Sequence, residues 1–201
     1  MKKAYTLLLT IMLLASPSTM AATILVMGDS LSAAFGIPQQ AGWVSLLQQR
    51  LAPDYNVINA SISGETSAGG AARLAALLQQ HQPKIVIIEL GANDGLRGLP
   101  IKEMKRNLEQ MIHQSKKSNA HVLLIGMRLP PNYGPAYTQA FEQSYSELAT
   151  QQRIALLPFL FAGLENSPRD FQADNLHPTA AAQPILLDSI WQSLAPLLKV
   201  K

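Results

Sequence analysis

Three residues of this chain could together activate a hydroxyl group for nucleophilic attack. Ser30 lies towards one end, and Asp174 and His177 lie three residues apart towards the other. A serine hydroxyl is a weak nucleophile at neutral pH, so it needs a base to take its proton and a third group to hold that base in the right tautomer. A histidine with a nearby aspartate supplies both groups from one loop. The combination indicates a serine hydrolase.

Ser30 could instead be the N-cap of a helix, a position that serine and aspartate favour. Ser32 is a weaker competitor for the role of nucleophile. We expect Asp29 to be a structural hydrogen-bonding residue rather than the acid of the triad. No serine lies in a Gly-x-Ser-x-Gly sequence. This argues against the α/β-hydrolase architecture, which holds its nucleophile in that sharp turn.

Two further residues could stabilise the oxyanion that forms when a serine attacks an acyl carbonyl. Gly64 could simply serve a turn with positive φ, but a residue without Cβ also lets its backbone N–H approach the developing charge. Asn93 could be an ordinary turn asparagine, or its side-chain amide could donate another hydrogen bond. With the backbone N–H of Ser30 they make a predicted three-donor oxyanion hole. Each such donor is worth ~10²–10³ in rate.

The other polar residues that stand out have structural interpretations. His81 ends a predicted helix, His113 lies within one, and His121 opens a strand. None of the histidines pairs with another at the spacing of metal ligands, so a metal site is not expected. Glu89 interrupts an apolar run. We expect it to be hydrogen-bonded near the end of the sheet, in a structural role.

The elements that must position these residues alternate between strands and helices. Short apolar segments rich in Val, Ile and Leu, without clean alternation, predict strands buried on both faces at residues 23–27, 55–60, 85–90, 122–127 and 154–157. Helices are predicted at residues 43–51, 67–81, 101–118, 137–152 and 180–198. Pro184 and Pro196 should limit or kink the last helix. The alternation predicts a single α/β domain with a parallel sheet between helices.

Every polar motif falls just after a predicted strand. Ser30 follows the first strand and Gly64 the second. Asn93 follows the third strand, and Asp174 and His177 follow the fifth. Ligand sites in open α/β sheets lie outside the carboxyl ends of the strands, where the strand order reverses. We therefore expect these four segments to converge on one site.

The first 21 residues have the composition of a secretory signal peptide. Lys2 and Lys3 precede an apolar stretch at residues 7–15, and small residues up to Ala21 provide a cleavage site. A membrane anchor is the alternative, but the apolar stretch is shorter than the ~20 residues needed to span a bilayer. We expect cleavage to leave residues 22–201 as a hydrolase domain in the periplasm or fully secreted.

Composition excludes several classes of protein. Of 201 residues, 48% are apolar and 14% charged, which argues against a disordered chain. Loss of Lys2 and Lys3 reduces the 16 basic residues to 14, against 13 acidic ones, and no basic stripe with interleaved aromatics indicates nucleic acid binding. The absence of cysteine excludes disulfides, a thiolate nucleophile and cysteine-ligated zinc.

Four short motifs, in this order, resemble those of the SGNH hydrolases, also called the GDSL family. They are Gly28-Asp29-Ser30-Leu31, Gly64, Gly91-Ala92-Asn93-Asp94 and Asp174-Asn175-Leu176-His177-Pro178. Longer stretches resemble the bacterial periplasmic branch of that family described as thioesterase I, lysophospholipase and arylesterase. These stretches are residues 59–67, 81–83, 93–98 and 128–134. The similarity extends over essentially the whole chain after the leader.

This resemblance implies a flavodoxin-like three-layer fold with a five-stranded parallel sheet, and hydrolysis of acyl thioesters and esters without a cofactor. It implies that Ser30 is the nucleophile, His177 the base and Asp174 the partner of that base. The oxyanion hole would consist of the Ser30 N–H, Gly64 and Asn93. The expected partner is a small acyl ester or thioester, and no nucleic acid is expected. We expect the protein to be a monomer that does not insert stably into a membrane.

The acyl chain is expected to lie along apolar residues, with the proline-rich loop at residues 129–135 as one wall. Leu129, Pro130 and Tyr133 are candidate contacts with the substrate. Two alternatives remain open. A short pocket would indicate a carbohydrate or short-chain acetyl esterase of the same family. A non-catalytic flavodoxin-like binding module would need a phosphate-binding loop after the first strand, where Asp29 disfavours an anion.

Overall fold

Five parallel strands form the centre of this protein, as seen in a computed structural model that describes residues 21–164 and 167–200. The strands are β1 (Ala22–Gly28), β2 (Tyr55–Asn59), β3 (Ile85–Glu89), β4 (His121–Ile125) and β5 (Ala155–Leu157). Their order across the sheet is β2-β1-β3-β4-β5. The predicted signal peptide lies outside the described residues, apart from its last residue.

Helices cover both faces of the sheet. They are α1 (Trp43–Leu51), α2 (Ser67–His81), α3 (Ala92–Leu96), α4 (Ile101–Lys117), α5 (Pro135–Gln152) and α6 (Gln183–Leu198). Helix α1 packs against α6, whereas α4 packs between α2 and α5. These two groups of helices with the sheet between them make the predicted three-layer sandwich. Its strand order is that of flavodoxin-like folds.

The strands differ in burial according to their place in the sheet. The side chains of β3 are all buried, and those of β1 and β4 nearly so, because neighbouring strands and helices enclose them. Strands β2 and β5 lie at the edges and are only partly buried. The prediction of strands buried on both faces is therefore confirmed for the centre of the sheet and wrong for its edges.

Most predicted elements are present within two residues of their predicted ends, and the main differences involve proline and short polar turns. The predicted last helix divides into a 3₁₀ turn at Ala180–Ala182 and helix α6. Pro184 lies in the first turn of α6, where a missing N–H costs nothing, and Pro196 lies near its end. Helix α3 was not predicted, because its Asn, Asp and Gly residues are typical of turns.

Helix α3 is held in place by a buried carboxylate and by a glycine. Asp94 accepts hydrogen bonds from the backbone N–H of Ser67 (2.8 Å) and from its hydroxyl (2.6 Å), which joins α3 to the start of α2. Gly91, just before α3, has a φ of +116°, and a Cβ there would lie 2.3 Å from the hydroxyl oxygen of Tyr145. These contacts fix the direction in which Asn93 projects.

Candidate active site

Ser30 lies in a tight turn that begins where β1 ends. Asp29 organises this turn, because its Oδ1 accepts a hydrogen bond from the backbone N–H of Leu31 at 3.0 Å. Gly28 leaves no room for a side chain, since a Cβ would lie 2.5 Å from the Ser32 hydroxyl and 2.8 Å from a Glu89 carboxyl oxygen. The close packing behind the turn leaves Ser30 facing the cavity.

Asp174 and His177 share a short loop between β5 and α6. A carboxyl oxygen of Asp174 lies 2.7 Å from Nδ1 of His177. The other carboxyl oxygen accepts from the backbone N–H groups of His177 (3.0 Å) and Leu176 (2.9 Å). These backbone hydrogen bonds, with that of the imidazole, lower the pKa of Asp174 to about 2. The loop therefore provides an ionised carboxylate that fixes the imidazole.

The imidazole in turn reaches the serine. Nε2 of His177 lies 2.8 Å from Oγ of Ser30, although the two residues are 147 positions apart in the chain. With Asp174 on Nδ1, Nε2 is the nitrogen left to accept the serine proton. Ser30, His177 and Asp174 are thus joined in this order by hydrogen bonds, which is the geometry of a Ser-His-Asp triad.

Two residues that the sequence analysis did not single out join the serine loop to the histidine loop. The side-chain amide of Gln172 donates to the carbonyl of Phe35 (2.9 Å) and to that of Pro178 (3.1 Å). The ring of Phe35 lies against the ring of His177, with centroids 4.6 Å apart. Neither role is visible in the sequence, because each depends on two loops that meet only in the fold.

Gly64 and Asn93 face the same cavity as Ser30 and His177. The φ of Gly64 is +77°, which confirms the interpretation of a turn that needs positive φ. Asn93 Nδ2 donates to Oδ2 of Asp29 (2.9 Å) and to the carbonyl of Glu65 (3.1 Å). The backbone N–H groups of Ser30 and Gly64 have no acceptor within the described part of the chain. Three potential donors thus surround one region.

Two buried acids lie behind the nucleophile. Glu89 is fully buried, and its Oε2 accepts from the Ser32 hydroxyl (2.7 Å) and the Asp29 N–H (3.3 Å). Burial, and then the nearby Asp29, raise the pKa of Glu89 well above its usual range. Burial also raises the pKa of Asp29 to about 6. Both are the structural residues that we expected, and Ser32, 1% exposed, is turned away from the cavity.

The cavity in front of Ser30 has a volume of about 560 Å³ and a mostly apolar wall. The predicted contacts Leu129 and Pro130 line it, but Tyr133 does not. The hydroxyl of Tyr133 instead donates to the carbonyl of Leu96 at 2.8 Å. Other apolar residues in the wall are Leu31, Phe35, Leu96, Met127, Phe159, Phe161, Phe171 and Leu176. Tyr133 is therefore not part of the cavity wall, and its contact with substrate stays a prediction.

The remaining histidines lie away from this site. His113 and His121 are exposed, and His81 is half-buried at the end of α2. Within residues 21–164 and 167–200, no group of three or more acidic, histidine or cysteine side chains is arranged to hold a metal. In the same ranges, no helix has the length and apolar content needed to cross a bilayer.

The sequence model of the GDSL-like lipase/acylhydrolase family matches residues 26–184, a range that includes Ser30, Gly64, Asn93, Asp174 and His177. The chain belongs to this family. It is 52% identical over 181 residues to Esterase TesA of Pseudomonas aeruginosa, an alignment that covers 89% of this chain and 90% of that protein. It is 43% identical over 188 residues to the thioesterase 1/protease 1/lysophospholipase L1 of Escherichia coli K12, with 94% and 90% covered.

A solved structure of a related esterase has the same fold. The psychrotrophic esterase EstA from a Pseudoalteromonas species, inhibited by monoethylphosphonate, superposes with a TM-score of 0.84 at 44% identity. The alignment covers 89% of this chain and 99% of that one. Together these relatives show that the chain is a serine hydrolase of the SGNH type that acts on ester bonds. The alternative of a non-catalytic binding module is thereby excluded.

The buried carboxyl of Asp29 should make stability depend on pH. Its folded-state pKa of about 6 exceeds the ordinary 3.8, so the folded protein binds this proton more tightly than the unfolded chain does. Stability from this group is present at low pH and is lost as pH rises from about 4 to above 6. In the Asp29→Asn variant the side chain does not titrate, so the stability of this variant does not fall in that pH range for this reason. Its free energy of unfolding, relative to the parent, should increase by about 2–3 kcal/mol between pH 4 and pH 7.

Urea denaturation at a series of pH values measures this difference directly. Asp174→Asn is the matched control, because the pKa of Asp174 is lowered and its effect on stability therefore falls below pH 4. A constant difference between Asp29→Asn and the parent across pH 4–7 would mean that Asp29 titrates normally in the folded protein.

Proposed function

We propose that this enzyme hydrolyses fatty acyl thioesters and esters through an acyl-enzyme on Ser30. The observation that carries the proposal is an apolar cavity of about 560 Å³ that borders a serine hydroxyl hydrogen-bonded to a histidine. A long apolar wall suits an alkyl chain, since each buried methylene contributes about 0.8 kcal/mol. The names of the relatives, which include esterase, thioesterase and lysophospholipase, support the same substrates.

The first half of the reaction acylates the enzyme. As Oγ of Ser30 bonds to the acyl carbonyl carbon, its proton passes to Nε2 of His177. The carbonyl π electrons move onto the oxygen, which becomes the oxyanion. When the tetrahedral intermediate collapses, the bond to the leaving sulfur or oxygen breaks, and that atom takes the proton from His177. The free thiol or alcohol departs and the acyl group stays on Ser30.

The second half releases the acid. Water attacks the acyl carbonyl carbon while His177 takes a proton from it, and collapse of the second intermediate returns that proton to Oγ of Ser30. Asp174 holds the imidazole throughout and stabilises its charged form without becoming protonated itself. With a pKa of about 2, this carboxylate stays ionised throughout the neutral and mildly acidic range.

The oxyanion is held by the N–H groups of Ser30 and Gly64 and by the amide of Asn93. Both amide hydrogens of Asn93 already have acceptors, Asp29 and the carbonyl of Glu65. Donation to the oxyanion therefore requires one of these hydrogens to be shared. Such a donor is preorganised, because the same acceptors fix the amide before substrate arrives.

A carbohydrate or short-chain acetyl esterase is the second candidate within the same family. A small acetyl group would leave most of the cavity unfilled, whereas aromatic side chains such as Phe159, Phe161 and Phe171 extend the apolar wall. The longer acyl chain fits this wall better. We also propose that residues 1–21 direct export to the periplasm and are cleaved after Ala21, and that the mature enzyme works as a monomer.

Removing the nucleophile or the base should abolish turnover. Ser30→Ala and His177→Ala are each expected to lower kcat on an aryl ester by ~10³ or more, and the double variant should lose little further, because the residues act as a unit. Steady-state kinetics of folded, purified proteins measure this. Ser32→Ala is the matched control and should retain the larger part of kcat. Near-normal turnover by Ser30→Ala would refute the serine mechanism.

Asn93→Ala should separate the oxyanion hole from the triad. It removes one donor but leaves nucleophile and base intact, so the penalty should be ~10²-fold and should fall on kcat rather than on KM. Labelling of Ser30 by an organophosphonate, followed by mass spectrometry, should persist at a lower rate. A change in KM alone would make Asn93 a substrate-binding residue instead.

Chain-length selectivity should depend on the cavity wall. Leu129→Ala removes apolar contacts, so kcat/KM for a dodecanoyl ester should fall ~10-fold or more relative to a butyryl ester. Tyr133→Phe loses the hydrogen bond to the Leu96 carbonyl but leaves every side chain of the cavity wall in place, so it should keep the ratio within about twofold. Aryl esters of graded chain length measure the ratio below the Tm of each variant. Equal losses at every length in Leu129→Ala would place the acyl chain elsewhere.

A further inference from the structure

Arg97 makes a contact with the turn that carries a proposed oxyanion donor. Its guanidinium Nη2 donates to the carbonyl oxygen of Gly64 at 2.7 Å. The Arg97 side chain is exposed and has no ion-pair partner within the described residues. Among the described residues, the carbonyl of Gly64 is therefore the hydrogen-bond partner of this side chain. No step of the reaction described above uses this residue.

The turn around Gly64 is closed by one backbone hydrogen bond, from the N–H of Glu65 to the carbonyl of Ile62 at 3.1 Å. Glycine at a φ of +77° still has access to more backbone conformations than another residue would, so a second restraint on this turn is useful. Among the described residues outside the turn itself, the nearest atom to a Cβ built at Gly64 is Nη2 of Arg97, at 3.6 Å. Arg97 is therefore in a position to supply that restraint.

The residue after Gly64 is anchored separately. Nε of Arg73 donates to the Glu65 carboxylate at 2.6 Å, and a second nitrogen of Arg73 donates both to that carboxylate and to the carbonyl of Ala60. The carbonyl of Glu65 accepts from Asn93. Glu65 is therefore fixed from two sides. The carbonyl of Gly64 itself is held by Arg97.

Arg97 and Asn93 come from the same turn of helix. They are four residues apart, and the N–H of Arg97 donates to the carbonyl of Asn93 at 3.2 Å as α3 ends. Residues with this spacing lie on one face of a helix. Helix α3 thus carries one oxyanion donor, and the residue that caps its C-terminus holds the carbonyl of the glycine that provides the second donor. A single rigid element sets the distance between the two donors.

We propose that Arg97 is a positioning residue for the oxyanion hole: by holding the carbonyl of Gly64, it limits rotation about the Cα of this glycine and so helps to keep the Gly64 N–H directed at the oxyanion. The inference rests on the proposed role of Gly64 as a donor. It assigns Arg97 an effect on the chemical steps, since the oxyanion is absent from the bound substrate and forms only in the tetrahedral intermediate and its transition states. Its loss should lower kcat and leave ground-state binding of an uncharged ester nearly unchanged.

The test compares Arg97→Met, Arg97→Lys and a control in the full-length enzyme, with an uncharged aryl butyrate as substrate. Arg97→Met keeps the length of the side chain but cannot donate, and kcat should fall ~10-fold with KM within about twofold. Arg97→Lys retains a donor and should recover part of the loss. Arg106→Met is the control, because Arg106 is an exposed residue of α4 paired with Glu103, and it should behave like the parent.

A second substrate, an acyl-CoA, separates positioning from direct recognition of a charged leaving group. A positioning role predicts the same loss in kcat for the aryl ester and for the acyl-CoA. A loss confined to KM for the phosphate-bearing acyl-CoA would overturn the proposal, because Arg97 would then bind the leaving group. An unchanged kcat in Arg97→Met would overturn it as well.

The stability and the serine chemistry of each variant are checked alongside. The Tm of Arg97→Met should match that of Arg106→Met, and a lower kcat in an equally stable protein supports positioning. If kcat and Tm fall together, the rate of Ser30 phosphonylation, measured well below Tm, decides the matter. An unchanged rate contradicts the proposal, and a rate lowered in proportion to kcat supports it. Failure of the proposed function itself would appear differently, as turnover that survives Ser30→Ala.

Discussion

The hydrogen bond from the Asn93 amide to the Asp29 carboxylate joins the two halves of the active site. Asp29 precedes the nucleophile at the end of β1, and Asn93 lies in α3 after β3. Strands β1 and β3 are adjacent and parallel, so their carboxyl ends meet at one edge. The other oxygen of Asp29 holds the N–H of Leu31. One side chain thus fixes the loop of the nucleophile and the amide that faces it.

This arrangement has an electrostatic cost. A carboxylate that is 1% exposed loses most of its hydration, and a second acid, Glu89, lies directly behind it. The two cannot both be charged at little expense, and burial raises the pKa of Glu89, which favours its neutral form. One oxygen of Glu89 has no hydrogen-bond partner among the residues that the structure describes. The fold tolerates these costs at the site of chemistry, where polar groups must be held rigidly among apolar residues.

Local signals in the sequence were sufficient to predict the architecture and the main polar residues. Apolar runs marked the strands, and the polar motifs after them, such as those at Ser30 and His177, lie together because parallel strands end at the same edge. Helix α2 was predicted to the residue, since its apolar spacing is regular from Ser67 to His81.

The contacts that the sequence did not reveal all join residues far apart in the chain. Gln172 bridges to Phe35, and Arg97 reaches Gly64, through pairings that no periodic pattern encodes. Tyr133 was a candidate substrate contact because its ring is apolar and it lies in a proline-rich loop. Its hydroxyl instead holds the carbonyl of Leu96. The direction of a side chain in a loop depends on partners brought by the fold, which composition alone does not identify.

The loop that carries Asp174 and His177 is a self-contained unit. Phe171 pairs with Pro178 across its base, the N–H of Gln172 donates to the carbonyl of His177 at 2.7 Å, and the base and its carboxylate lie within it. A rigid displacement of this loop preserves the pairing of His177 with Asp174, but it changes the separation of His177 from Ser30 and the contacts that Gln172 and His177 make with Phe35. A movement of about 1 Å would therefore disconnect the nucleophile without dismantling the base.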